Sequence, residues 1–371
     1  MANTFFKSFS EADRTTSRTL LHESIPITGS LVSGTYAGAN PGPHVKSFSH
    51  GMFKSVYDYP FLSSSANHLF DVTWGYISSS AHRADDAHEG FGVWGAANDN
   101  AVTNQKSKKK NIYSQMAQVL VGYDTDSEIR PFDFDGNHAD GAKIAAAAFL
   151  NFSRLLVKDE IKKGSFSLTL GTHNTYATPF ASTVTLSDYG ADNSYLINSP
   201  AGEYGILYKS SNDAASKANP RGLIYYQAGI AVLPIGSSDV AGAMSTADWI
   251  PSGGSNNHKV DILKTGSMDQ FSNGLIHRIQ NITFNNTTEL NSTIYFCRAS
   301  HNEFNYSSNT TYLSGSKIQV KANDLMMPPR SYVTTVGLYS ADNELLAVAK
   351  LSEPLRKDPT SEVTLRVRLD Y

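Results

Sequence analysis

Val363-Thr-Leu-Arg-Val-Arg-Leu-Asp370 stands one residue before the last position of the sequence. Val363, Leu365, Val367 and Leu369 alternate with Thr364, Arg366, Arg368 and Asp370, the two-residue period of a strand with one dry and one wet face. Moving outward, Tyr332–Tyr339 and Glu344–Leu351 flank Ser340-Ala341-Asp342-Asn343. Two apolar runs around a short polar loop predict an antiparallel hairpin. Pro354 and Pro359 punctuate the connection to the last strand. The chain stops at Tyr371 with no polar tail, which predicts that its C-terminus is tied into a sheet. Further upstream, Ile276–Phe284 and Ser292–Cys297 read as strands, after a turn-rich stretch at Gly253–Gly274 that marks a domain boundary.

The same reading applied to the middle gives strands at Ser165–Leu170, Thr183–Leu186, Tyr204–Tyr208 and Leu223–Leu233. Helical spacing governs what comes before. Glu11–His22 fits a short helix. Asn111–Gly122 carries Ile112, Met116, Val119 and Leu120 on one face, with Gly122 as its stop. Ala142–Ile161, with Ile144, Ala148, Phe149, Phe152, Leu155 and Leu156, reads as the strongest helix of the chain, ended by Lys162, Lys163 and Gly164. The expected fold class is therefore α+β and β-rich, a helical N-terminal part followed by antiparallel β-sandwich-like domains. The expected division is 1–110, an N-terminal arm and aromatic-rich irregular region; 111–165, a helical segment; 166–270, a β-rich middle domain; and 271–371, a C-terminal β-sandwich-like domain. The Gly- and Pro-rich lead-in at 29–43 and the polar loop Ser78–Lys110 are long enough to expect ordering by a partner.

Hydrophobic residues make up 40% of the 371 and charged residues 18%, enough for a sizeable core and too few charges for a disordered chain. The 27 Gly, 19 Tyr and 18 Phe favour strands and turns over long helices. A net charge of −3 does not mark a nucleic-acid binder. Lys106-Ser-Lys-Lys-Lys110 is the one basic run and reads as a solvated approach to a helix. A single cysteine, Cys297, excludes an internal disulfide framework and reads as a small buried hydrophobe. Phe5-Phe6 runs directly into Lys7, so no signal peptide is expected. No apolar run reaches about 18 residues, so no membrane span is expected either. Asn281, Asn286, Asn291 and Asn309 head glycosylation sequons, which in a reducing cytoplasm read as turn and strand-edge residues.

Candidate chemistry is sparse. Asp133-Phe-Asp-Gly-Asn-His-Ala-Asp140 offers oxygens at Asp133, Asp135, Asn137 and Asp140. However, His138 stands where a calcium loop needs glycine, and Ile144 stands where it needs its bidentate glutamate. The histidines form no zinc spacing. There is no nucleophile elbow, no phosphate-binding loop and no dinucleotide fingerprint. No catalytic residue, metal ligand or cofactor is therefore expected. The aromatics of 48–77 read mainly as core, with Phe53, Tyr57, Tyr59, Phe61, Trp74 and Tyr76, together with Trp94, as candidate interface residues, because such rings tolerate a half-wet site.

Four runs carry a family resemblance: Ser55–Phe70, Asp159–Leu170, Gly222–Leu233 and the C-terminal Arg330–Pro359 with Thr364–Tyr371. They resemble a virion structural protein of marine contractile-tailed bacteriophages, especially those of cyanobacteria. The resembling motifs are packing and turn motifs. The resemblance implies a non-enzymatic tail or baseplate component, or a neck or capsid-surface protein, found in the virion and assembled in the host cytoplasm. Its partners would be other phage structural proteins, in an oligomeric setting, without direct nucleic-acid contact. The contrasting class is a receptor-binding or glycan-cleaving tail protein, which would need two carboxylates about 5–10 Å apart.

Overall fold

Paired strands build half of the chain, and the computed structural model is β-rich with one large antiparallel sheet. The structure describes residues 6–28, 44–58, 68–77, 104–139, 143–209, 220–235, 266–306, 313–314, 317–318 and 329–371. In chain order, β1 (Arg14–Thr28), β2 (Val45–Ser47), β3 (Lys54–Tyr57) and β4 (His68–Tyr76) precede helix α1 (Asn104–Leu120). Next come β5 (Phe132–Asp133), β6 (Lys143–Ile144), β7 (Ala146–Phe152), the single turn α2 (Arg154–Val157), β8 (Glu160–Ile161), β9 (Ser167–Gly171) and β10 (Thr183–Ser187). The single turn α3 (Ala191–Ser194), β11 (Tyr204–Lys209), β12 (Pro220–Tyr225), β13 (Ile230–Pro234) and helix α4 (Met268–Arg278) follow. The last strands are β14 (Ile279–Ala299), β15 (Leu313–Ser314), β16 (Lys317–Ile318), β17 (Ser331–Tyr339), β18 (Leu345–Lys357) and β19 (Val363–Asp370).

Contacts divide the chain into two compact units, Leu21–Thr288 and Met1–Leu20 with Glu289–Tyr371, in place of the four segments expected from composition. In the larger unit the strands lie in the order β14-β9-β10-β11-β12-β13-β7-β4-β3-β2, every neighbouring pair antiparallel. The helices α1 and α4 pack on β4. Phe271 of α4 meets the Trp74 ring at 4.9 Å between centroids. Gly75 lets α1 approach, since a Cβ there would come within 2.7 Å of the Tyr113 backbone nitrogen.

Two expected helices are strands or turns. Glu11–Asp13 forms only a 3-10 turn capped by Ser10 and Asp13, and the chain continues as β1. Its Arg14-Thr-Thr-Ser-Arg-Thr run is rich in β-branched and hydroxyl side chains that weaken a helix. The predicted helix Ala142–Ile161 is instead β7, the turn α2 and β8. β7 is hydrogen-bonded to β13 on one side and β4 on the other. Ala147, Ala148, Phe149 and Leu150 are each at most 1% exposed, so both faces of the strand are dry. A strand buried on both faces shows a continuous apolar run, which periodicity cannot separate from a buried helix.

Other expectations hold with adjusted limits. Of the predicted helix Asn111–Gly122, Asn111–Leu120 belongs to α1, which begins at Asn104 and so takes in the end of the predicted loop. Ile112 and Leu120 are buried, but Val119, expected on the same apolar face, is 63% exposed. Leu223–Leu233 is two strands, β12 and β13, joined at Tyr226-Gln-Ala-Gly229, where Gly229 takes a φ of +66°. β17 and β18 form the predicted hairpin, with Asn343 left-handed at φ +64°. β19 pairs with β14 from Val363↔Ala299 to Asp370↔Ser292. Tyr371 N–H donates to Asn291 O at 2.8 Å, which ties the last residue into the sheet. Among the described residues no helix is long and apolar enough to cross a membrane.

Candidate functional site

The smaller unit is short of core. Among its described residues the buried hydrophobic side chains are Leu338 and Val367, against eleven large ones that stay exposed. Five of those eleven sit on the β17–β18 hairpin: Tyr332 (52%), Tyr339 (46%), Leu345 (53%), Leu346 (67%) and Val348 (51%). Gly337 pairs with Val348, and a Cβ at Gly337 would sit 2.9 Å from the Tyr339 ring and 3.3 Å from Leu345. The ring and the leucine therefore close over the glycine and form a contiguous apolar surface. Surfaces of this kind on soluble proteins mark contact sites.

Beside the hairpin, within the same unit, lies a cleft of about 680 Å³. Phe6, Phe9, Phe296, Phe304 and Leu365 supply apolar walls. Phe6 stands edge-on to Tyr339 at 5.1 Å, and Phe9 meets Tyr295 at 5.3 Å. Among the described residues four charged side chains reach the cleft, and each has a partner from its own unit. Lys7 pairs with Glu303 at 2.6 Å and Arg298 with Asp13 at 3.0 Å. Lys357, fully buried, donates to Asn305 Oδ1 at 2.8 Å and Asp358 O at 3.0 Å. Cys297 is half-buried in the cleft wall, where burial raises its thiol pKa and holds it as the unreactive thiol.

The predicted interface aromatics fall elsewhere. Trp74 is 0% and Tyr76 8% exposed, so both belong to the core of the larger unit and neither ring can meet a neighbour. Phe53 and Tyr57 are half-buried, Phe53 against Phe48 at 4.8 Å and Tyr57 against His68 at 5.4 Å. Tyr59, Phe61 and Trp94 lie outside the described residues, as do 29–43 and 78–103. The signal for the hairpin surface was present in Leu345-Leu346. Consecutive leucines on a strand point to opposite faces, so one of them has to face away from a single core.

The basic run is not a solvated approach. Lys109 is 1% exposed, its ammonium 4.7 Å over the Trp74 ring and 3.0 Å from Gly266 O. Asn286, read as a strand-edge residue, is buried within β14. Its amide donates to Leu156 O and its oxygen accepts from Glu23 N.

The Asp133 loop folds on itself. Asp133 accepts from the backbone N–H of Asp135 and Gly136, each at 3.0 Å, and its other oxygen is held by the Lys143 ammonium. Burial, with the Asp135 side chain adding to it, pushes the Asp133 carboxyl up to about 6. Asp140 lies outside the described residues. Among the described residues no three His, Cys, Asp or Glu side chains gather as a metal-binding set. Asp188 is a second buried carboxyl, accepting from Gly164 N, Phe166 N and Tyr226 Oη at 2.8–2.9 Å. It links elements within the sheet. The chain matches no protein-family model, no curated protein and no solved structure.

Proposed function

We propose that this chain is a structural subunit of a tailed-phage particle, a tail or baseplate component acting through assembly contacts with other particle proteins. The observation that carries the reading is the imbalance in the smaller unit, where eleven large hydrophobic side chains are exposed and two are buried among the described residues. Fully burying a Leu, Val or Phe side chain contributes about 1.5–3 kcal/mol. A surface holding this many of them gains more from a protein neighbour than from water. The internally paired charges of the cleft favour a neutral protein surface over a charged small molecule or nucleic acid. The family resemblance of the four sequence runs adds the particle context, with the neck and the capsid surface as the other positions it allows.

The test is to purify intact particles, digest them and locate the chain by mass spectrometry, then cross-link it to its neighbours. Cross-links from Lys7 or Lys350 to another particle protein are expected. The isolated chain is run in parallel on a glycan array and in a reducing-sugar assay. Absence from particles, or cleavage of host glycans, replaces this reading with that of a receptor-binding or glycan-cleaving protein.

A further inference from the structure

We infer that the cleft of the smaller unit is a docking site for the β18 strand of a second copy of this chain. The inference deepens the assembly reading above and rests on it. The cleft is lined by Thr335, Val336, Gly337, Leu338 and Tyr339 in unbroken succession. Successive residues of a strand face opposite sides of its sheet, so a cavity that touches all five borders the strand's edge and not one of its faces. One edge of β17 is taken by β18, and among the described residues these two strands form a sheet of their own. Among the described residues, the edge that meets the cleft is therefore the open one. An open edge flanked by apolar walls takes an extended strand through main-chain hydrogen bonds, with the walls receiving its alternate side chains.

The occupant is specified by charge and length. Among the described residues of the cleft, Lys7 and Arg298 are in ion pairs with Glu303 and Asp13, and the buried Lys357 ammonium is taken up by three neutral oxygens of its own chain, so no exposed unpaired charge selects a charged ligand. The fitting strand is uncharged, apolar and about five residues long, or roughly 17 Å of extended chain. The same hairpin carries one. Leu345-Leu-Ala-Val-Ala349 has no charge and lies on β18, whose outer edge is open among the described residues. Beyond Lys350 the ladder shifts register, with Val333 opposite Leu355 and Thr335 opposite Lys350, and Pro354 lies in the shifted segment. The irregularity and the proline end the usable edge after Ala349. The donor run is five residues long with a bulge at Leu346, where Tyr339 pairs with Leu345 and Leu338 with Ala347, so it presents four register positions to the five of the acceptor run.

Topology allows the contact to repeat. In a hairpin the two strands run in opposite directions. Rotating copies about a common axis then places each β18 antiparallel to the β17 of the next copy, in the order β18-β17-β18-β17. The contact is head-to-tail, because each copy offers a different surface at each end. Such contacts close into rings where the rotation allows.

The test uses the full chain and analytical ultracentrifugation over a wide concentration range. Wild type is expected to gain mass with concentration. Leu346→Lys charges the donor strand, and Thr335→Lys charges the open edge. Both positions are exposed, so circular dichroism melting should not change. Each variant alone should stay monomeric. Their equimolar mixture should form a one-to-one dimer and stop there, since one intact donor and one intact acceptor remain. If Leu346→Lys folds poorly, Val348→Lys serves as the donor variant. A monomeric wild type, single variants that assemble like wild type, or a mixture that fails to pair would each overturn the inference. None of those results touches the particle reading, which fails if the chain is missing from purified particles or cleaves host glycans.

Discussion

Trp74→Ala separates the core reading of the aromatic segment from an interface reading. The ring is fully buried between sheet and helices, 4.9 Å from Phe271, with the Lys109 ammonium 4.7 Å above it. Large-to-small changes at such a site cost about 3–5 kcal/mol, through lost transfer energy and the cavity left behind. Lost ring pairing with Phe271 and the lost contact with the Lys109 ammonium push the value toward the upper end. That is a large fraction of the roughly 5–15 kcal/mol that holds a domain together. Urea denaturation followed by circular dichroism should show the midpoint of the larger unit falling sharply, with the two units treated as separate transitions. Leu346→Ala is the control. Leu346 is 67% exposed, so the change should move stability by no more than about 0.5 kcal/mol. If Trp74→Ala denatures like wild type but weakens association, the ring sits at an interface and the packing described here is wrong.

Asp188 should give the larger unit a pH dependence. Burial raises its carboxyl from 3.8 to about 6 in the folded state, so the folded chain holds the proton more tightly than the unfolded one. Stability should therefore fall as pH rises from about 4 to about 6 by up to about 3 kcal/mol, then level off. In Asp188→Asn that slope should shrink, and an unchanged slope would assign it to another group. Removing Val363–Tyr371 strips eight residues that pair with β14, including the buried Val367, and should abolish the calorimetric transition of the smaller unit. A cooperative melt of both units in the truncated chain would make β19 dispensable. The melting temperature should be the same in EDTA and in millimolar calcium, because Lys143 and backbone N–H groups already hold Asp133. A site filled at about 100 times its dissociation constant would add about 2.7 kcal/mol, so a shift of several degrees that Asp135→Ala removes would reveal an ion.

Strands with one wet face can be read directly from the order of residues. Val363–Asp370, the β17–β18 hairpin and Ser167–Gly171 are legible because solvent on one side imposes alternation. So can α1, whose apolar face follows the helical period. The tertiary structure alone decided β7. Its alanines and leucine have good local helix propensity, but pairing with β4 and β13 and burial of both faces outweigh a preference of a few tenths of a kcal/mol per residue. It also decided which aromatics are core, because an aromatic-rich run reads the same whether its rings face a sheet or a neighbour. The cleft was not legible either. Its walls come from residues 6–13, 296–304, 333–343 and 357–365, stretches far apart in sequence. An open strand edge becomes a site only when folding sets apolar walls beside it, and the alternation of a single strand carries no record of what lies across its edge.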